Sequence, residues 1–190
     1  VKAFDTRPIV KEQVESLGAE FVSLETSEEA QTTGGYAEEM SEDFYQHEHA
    51  IISEHLPTTD AVITTAQIFG KRAPLLITEE MVQTMRYGSV IVDLAAEQGG
   101  NCELTVPGKS VERHGVNILS PLDLPSSLSY HTSEMFSRNV TALLTEMLNA
   151  GQLNIDLEDE VVNGTMLTHE GKIMNQHVID LLERDKEENS

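Results

Sequence analysis

From Val1 to roughly Leu119 short β-prone runs alternate with stretches of helical periodicity, and this alternation limits the chain more than any other feature of its sequence. Runs of that kind cannot pair as simple hairpins; they need crossovers, and so specify a parallel sheet with helices on its faces. The strands are expected at Val1–Phe4, Glu20–Leu24, Ala61–Thr65, Val90–Asp93 and Val116–Leu119. Between the first two, Val10, Val14 and Leu17 line one helical face, and Gly18 offers a C-terminal cap. Further helices are expected from Ser41 to about Leu56, ended by Pro57, and from Thr78 to about Met85, with Thr78 as the N-cap. The polar stretch from Glu25 to Met40 has no period and is long for a connection, a pattern found in mobile or functional loops.

After Pro125 the alternation stops. One long helix is expected over Thr132–Leu148, followed by a hairpin spanning Leu153–Met174 with Asn163-Gly164 as its turn, and then a weakly helical, acidic tail. The expected organisation is a dinucleotide-binding domain over residues 1–125, the returning helix and hairpin of a second, incomplete domain over 126–174, and a tail over 175–190. The fold class is α/β, with a Rossmann-like sheet. Because no glycine-rich turn precedes Asp5 and the chain opens directly on an apolar run, the first strand and that turn are expected to lie upstream.

Composition removes several functions. With 33 acidic against 12 basic residues, a formal net charge of -21 repels nucleic acid and anionic lipid. No apolar run is long enough to span a bilayer. The single cysteine, Cys102, excludes an internal disulfide and has no identifiable base to make it a nucleophile. His47 and His49 diverge on a helix, and no metal site is expected.

Three segments could carry a ligand. Asp5, Thr6 and Arg7 follow a parallel strand at its carboxyl end, where open α/β sheets bind ligands; Asp5 there either accepts from the hydroxyls of an adenosine ribose or caps its own loop. The loop TTAQIFGKRAP, containing Thr65, Ala66 and Gly70, is either a surface against which a cofactor lies or a tight crossover turn. The run VDLAAEQGGNCELT places small residues, Ala95, Glu97, Gln98 and two glycines after a buried strand, a composition that lets backbone approach a ligand.

The blocks FDTRPIVKEQVESLGAEF, GGYAEEMSE, TTAQIFGKRAPLLIT, GSVIVDLAAEQGGNCELTVPG and DLPSSL stand in the order found in the NAD(H)-binding component of proton-translocating nicotinamide nucleotide transhydrogenases, which this chain resembles from Val1 to about Lys172. Alanine dehydrogenases belong to the same superfamily. The resemblance implies NAD(H) bound here, with Asp5 on the ribose, Tyr36 and Met40 in a loop that closes over nucleotide, Ala66 and Gly70 at the cofactor edge, and Ala95, Glu97, Gln98, Asp123 and Leu124 near the nicotinamide half. It further implies NADP(H) on a partner component, a membrane component that moves protons, a homodimer, and a peripheral place on the cytoplasmic face of a bacterial inner membrane or on the mitochondrial matrix side. No side chain of this component need act as acid or base, because the nicotinamide carries the chemistry.

Alanine dehydrogenases have an aspartate where this chain has Glu97, and Asn-Met-Pro where it has Asp123-Leu124-Pro125. Phe69 and Arg72 stand where transhydrogenases usually have proline, and Ser126 where they have glycine. The alternatives are an alanine dehydrogenase-type oxidoreductase and a non-catalytic NAD-binding fragment.

Overall fold

The computed structural model describes residues 1–24, 42–68, 70–176 and 178–182. Tyr36, Met40, the loop that holds them, Phe69 and the last eight residues of the acidic tail lie outside the described residues. The chain divides into two compact units, Val1–Asp123 and Leu124–Ser190.

The first unit is Rossmann-like. β1 (Lys2–Phe4) leads into α1 (Val10–Ser16) and then β2 (Glu20–Val22), which lies parallel to β1 with Ala3 opposite Phe21. Gly18, at φ 83°, ends the helix in the left-handed conformation that a side chain would disfavour. After α2 (Glu42–His55) a short 3-10 turn carries Pro57 into β3 (Ala61–Thr64). Then come α3 (Glu79–Gln83), β4 (Val90–Asp93), β5 (Ser110–Arg113) and β6 (Val116–Leu119). These last strands form a sheet of order β3-β4-β6-β5, parallel except for β5. Among the described residues β1 and β2 pair only with each other, so the strands expected in one sheet form two.

β5 is not among the strands that the sequence predicts. In Ser-Val-Glu-Arg only Val111 packs toward the core, too weak an alternation to stand out, and the strand is defined by its partner. His114 and Gly115, at φ 52° and 77°, make the two-residue turn that joins it antiparallel to β6.

Aliphatic side chains fill the core in the absence of Trp: Leu56, Ile77, Met81, Val82, Met85, Ile91, Val116 and Ile118 pack together with Cys102. α3 contributes its apolar face from a defined start, where the Thr78 side chain accepts from the Met81 N–H at 3.3 Å. β4 alternates, burying Ile91 and Asp93 on one face.

In the second unit α4 (Leu124–Ser127) runs into α5 (Ser129–Glu146), which starts three residues before the expected Thr132 because Leu128 continues the turn: its N–H bonds to the Leu124 carbonyl, and its own carbonyl accepts from Thr132. The expected hairpin over Leu153–Met174 is not present. Instead β7 (Leu148–Asn149) pairs with β8 (Gln152–Leu153), α6 (Glu160–Thr165) intervenes, and β9 (Thr168–His169) pairs with β10 (Lys172–Ile173). Asn163-Gly164 lies inside α6, whose cap Asp159 accepts from the Val162 N–H at 2.8 Å. The true turns are Ala150-Gly151, at φ 50° and 79°, and Glu170-Gly171, at 48° and 79°. A strong local turn signal lost to a helix cap four residues upstream. Among the described residues no helix is long and apolar enough to cross a membrane.

Candidate functional site at the carboxyl edge of the sheet

Asp5 sits just beyond β1, and Arg7 folds back onto it. Asp5 Oδ1 accepts from the Arg7 N–H at 2.9 Å and from Nε at 3.0 Å, while Oδ2 accepts from Nη2 at 2.9 Å. Burial pushes the Asp5 carboxyl up, but the Arg7 side chain, its backbone N–H and its charge together outweigh that and hold it below the usual carboxylate range. The group is therefore an anion at neutral pH, capping its own loop, with lone pairs left over for a further donor.

A cleft of about 640 Å³ opens beside this loop. Asp5, Thr6 and Arg7 line it from one side, Thr65 and Ala66 from the loop after β3, and Phe44 and Glu48 from α2. Among the described residues β1 pairs only with β2 and β3 only with β4, and residues of both β1 and β3 line this cleft.

A second constellation surrounds Asp93, at the carboxyl end of β4. This side chain is wholly buried and accepts five hydrogen bonds. Oδ1 takes the Thr64 hydroxyl and the Ala95 N–H, each at 3.1 Å. Oδ2 takes the N–H groups of Asn101 at 2.8 Å and Cys102 at 3.2 Å, and the Thr105 hydroxyl at 2.5 Å. Asn101, equally buried, donates from Nδ2 to the carbonyls of Ala66 at 2.9 Å and Pro74 at 2.8 Å. The Gln98 carbonyl accepts from the Ala73 N–H at 2.8 Å. The loops after β3 and after β4 are thus one hydrogen-bonded body.

Glu97 Oε1 accepts from the Asp123 N–H at 2.8 Å, joining the AEQGG segment to the start of DLP. Asp123 takes φ 53°, a left-handed conformation that Asp and Asn tolerate better than other side chains. Ala95 is wholly buried, and its carbonyl accepts from Gln98 and Gly100. Gly70 is left-handed at φ 69°.

Of the residues singled out in the sequence, then, Asp5, Thr6, Arg7, Thr65 and Ala66 share one cleft, while Ala95, Glu97, Gln98 and Asp123 form a second, linked group. Leu124 opens the other unit. The two glycines have a local reason: a Cβ on Gly99 would lie 2.8 Å from Arg72 Nε, and one on Gly100 only 2.6 Å from Asp93 Oδ2. Asp93, Asn101 and Glu48 escape a reading of the sequence. A lone Asp in the otherwise apolar run VIVDLAA is the available signal. Cys102 is part of the core, and burial pushes its thiol up. No group of three or more His, Cys, Asp or Glu among the described residues is placed to hold a metal.

A Rossmann-like sheet with an anionic loop at one strand end and a clasped pair of loops at two others defines a class built to hold a ligand along its carboxyl edge. Within that class the chain belongs to the family described as alanine dehydrogenase/PNT, C-terminal domain, which it matches over residues 1–176. It is 49% identical over 177 residues to the NAD(P) transhydrogenase subunit alpha of Cereibacter sphaeroides, covering 90% of this chain and 34% of that protein. The crystal structure of transhydrogenase from Sinorhizobium meliloti superposes with a TM-score of 0.65 at 38% identity, covering 91% of this chain and 45% of that one. The alanine dehydrogenase of Bacillus subtilis is 31% identical over 133 residues, 67% of this chain and 35% of that enzyme. The chain thus spans less than half the length of the transhydrogenase relatives it matches.

Proposed function

We propose that this chain is the NAD(H)-binding part of a transhydrogenase in which hydride passes between NADH and NADP+, coupled to proton translocation by a partner membrane component. The observation that carries the reading is the hydrogen bond from the Asp123 N–H to Glu97 Oε1. It joins the two positions at which alanine dehydrogenases differ. An aspartate at 97, one methylene shorter, would fall about 1.5 Å short of this N–H. Here the carboxylate is engaged in holding a neighbouring loop, whereas a substrate-reducing enzyme needs an acid or base free to meet its substrate.

The cleft suits the cofactor. Asp5 on its wall is an anion with spare acceptor capacity for ribose hydroxyls, and the same charge opposes the extra phosphate of NADP. Thr6, Arg7, Thr65 and Ala66 would flank the adenosine half, and Ala95, Glu97, Gln98, Asp123 and Leu124 the nicotinamide half, with Tyr36, Met40 and Gly70 in the loops around it. When bound, the nicotinamide ring supplies the hydride chemistry, and the chain positions it and keeps water away. NADP(H) belongs to a partner component. The assembly is a homodimer, peripheral at the cytoplasmic face of a bacterial inner membrane or on the matrix side of a mitochondrial one.

The deciding experiment uses the intact subunit mixed with an NADP(H)-binding component, with NADH as donor and an NADP analogue as acceptor; pyruvate plus ammonia serves as the rival acceptor. Reduction of the analogue only in the mixture is the expected result. Oxidation of NADH by pyruvate plus ammonia without the partner would assign the chain to the dehydrogenase branch instead.

A further inference from the structure

We propose that Asp93 is a positioning residue for NAD(H): its five hydrogen bonds set the register of the loops after β3 and β4, and nucleotide affinity depends on that register. The inference rests on the NAD(H) reading above, and concerns a residue that touches no ligand in it.

Three of the five donors are backbone N–H groups, from Ala95, Asn101 and Cys102, and two are hydroxyls, from Thr64 and Thr105. No ion pair of the described residues involves Asp93. Burying a carboxyl group with no counter-ion is costly, and only a full set of donors makes it tolerable. An apolar residue at this strand end would avoid that cost, so the gain must lie in what the donors are fixed to. They come from the end of β3, from the turn just after β4, and from the returning strand of the loop. Residues Glu97 and Gln98 lie at the tip between Ala95 and Asn101.

The clasp extends further through Asn101. Its N–H goes to Asp93, its amide to the Ala66 and Pro74 carbonyls, and its own carbonyl accepts from the Leu76 and Ile77 N–H groups at 2.8 and 3.0 Å. Movement of Asp93 therefore displaces the 66–74 loop and the 95–101 loop together. Gly100 belongs to the same device, since a Cβ there would meet Asp93 Oδ2 at 2.6 Å and Thr105 Cγ2 at 2.7 Å. The glycine lets the backbone close on the carboxylate.

Asp93→Asn would turn an NH2 group against backbone N–H donors and remove the support of the fold along with the register, so the test is placed at Thr105. Thr105→Val keeps the shape and deletes the 2.5 Å donor; Thr105→Ser keeps the donor. In the intact complex, Thr105→Val is expected to raise KM for NADH about tenfold, the magnitude of one hydrogen bond to a charged group. KM for the NADP analogue should stay as in the wild type, Thr105→Ser should restore the NADH value, and the Asn101 and Cys102 amides should exchange faster with solvent in Thr105→Val. Faster exchange with an unmoved NADH KM would overturn the inference while leaving the NAD(H) reading intact. Equal losses in Thr105→Val and Thr105→Ser would also overturn it, because serine keeps the hydroxyl donor and the loss could then not come from the hydrogen bond to Asp93. A wild-type complex that does not oxidise NADH at all would refute the functional reading itself, and with it the inference.

Discussion

Burial of Glu48 on α2, with Oε2 left without a hydrogen-bond partner, pushes its pKa from the ordinary 4.5 up to about 7. The folded value lies above the unfolded one, so between those two pH values the native state keeps a proton that the unfolded chain has lost. Stability therefore falls as pH rises through that window, by roughly 3 kcal/mol in all, and levels off above it. Glu48→Gln keeps the shape without the titration. In urea unfolding of the intact subunit the variant is expected to match the wild type near pH 4 and to exceed it near pH 8 by an amount approaching that figure; parallel profiles at all pH values would show that Glu48 is not held protonated. The residue also marks where sequence reading stops. Asp5 is legible because a strand-end position and an acidic side chain are both local facts. Glu48, Asp93 and Asn101 are not, because what makes them unusual is their burial and, for the last two, partners distant in the chain: the Thr64 hydroxyl for Asp93 and the Ala66 carbonyl for Asn101.

Elements are legible in proportion to their periodicity. The strands from β1 to β4 and β6, and the helices between them, follow from alternation and capping signals that act within a few residues. β5 has a single core-facing side chain and depends on β6 for its definition. Asn163-Gly164 shows the opposite failure, a strong turn signal overruled by the Asp159 cap and the α6 hydrogen bonds. The correction can be checked by mutation. A glycine in a helix is destabilising relative to alanine, and a Cβ on Gly164 would meet nothing within 4 Å. Gly164→Ala is therefore expected to raise stability by roughly 0.5–1 kcal/mol, or about 1–4 °C in Tm for a chain of this size. Were these residues a left-handed hairpin turn, the same substitution would lower Tm.

On the scale of the whole molecule charge dominates. A formal net charge of -21 on 190 residues sets the compact chain against itself, whereas the ion pairs of the described residues are few and exposed: Lys2–Glu20, Arg86–Asp60 and Arg138–Glu134 among them. Exposed pairs of that kind contribute about 0–1 kcal/mol each, while the like-charge repulsion acts over the whole surface. Salt weakens both, but the repulsion is the larger sum. Raising ionic strength from about 0.01 M to about 1 M shortens the screening length from about 30 Å to about 3 Å, and should raise Tm of the intact subunit monotonically. Sodium chloride is the salt to use, because sulfate would also strengthen apolar burial and blur the cause. A Tm that falls with sodium chloride would mean that local pairing outweighs the net charge. The acidic surface would then be an arrangement of compensated pairs, and its exclusion of polyanionic partners would no longer follow from the charge count.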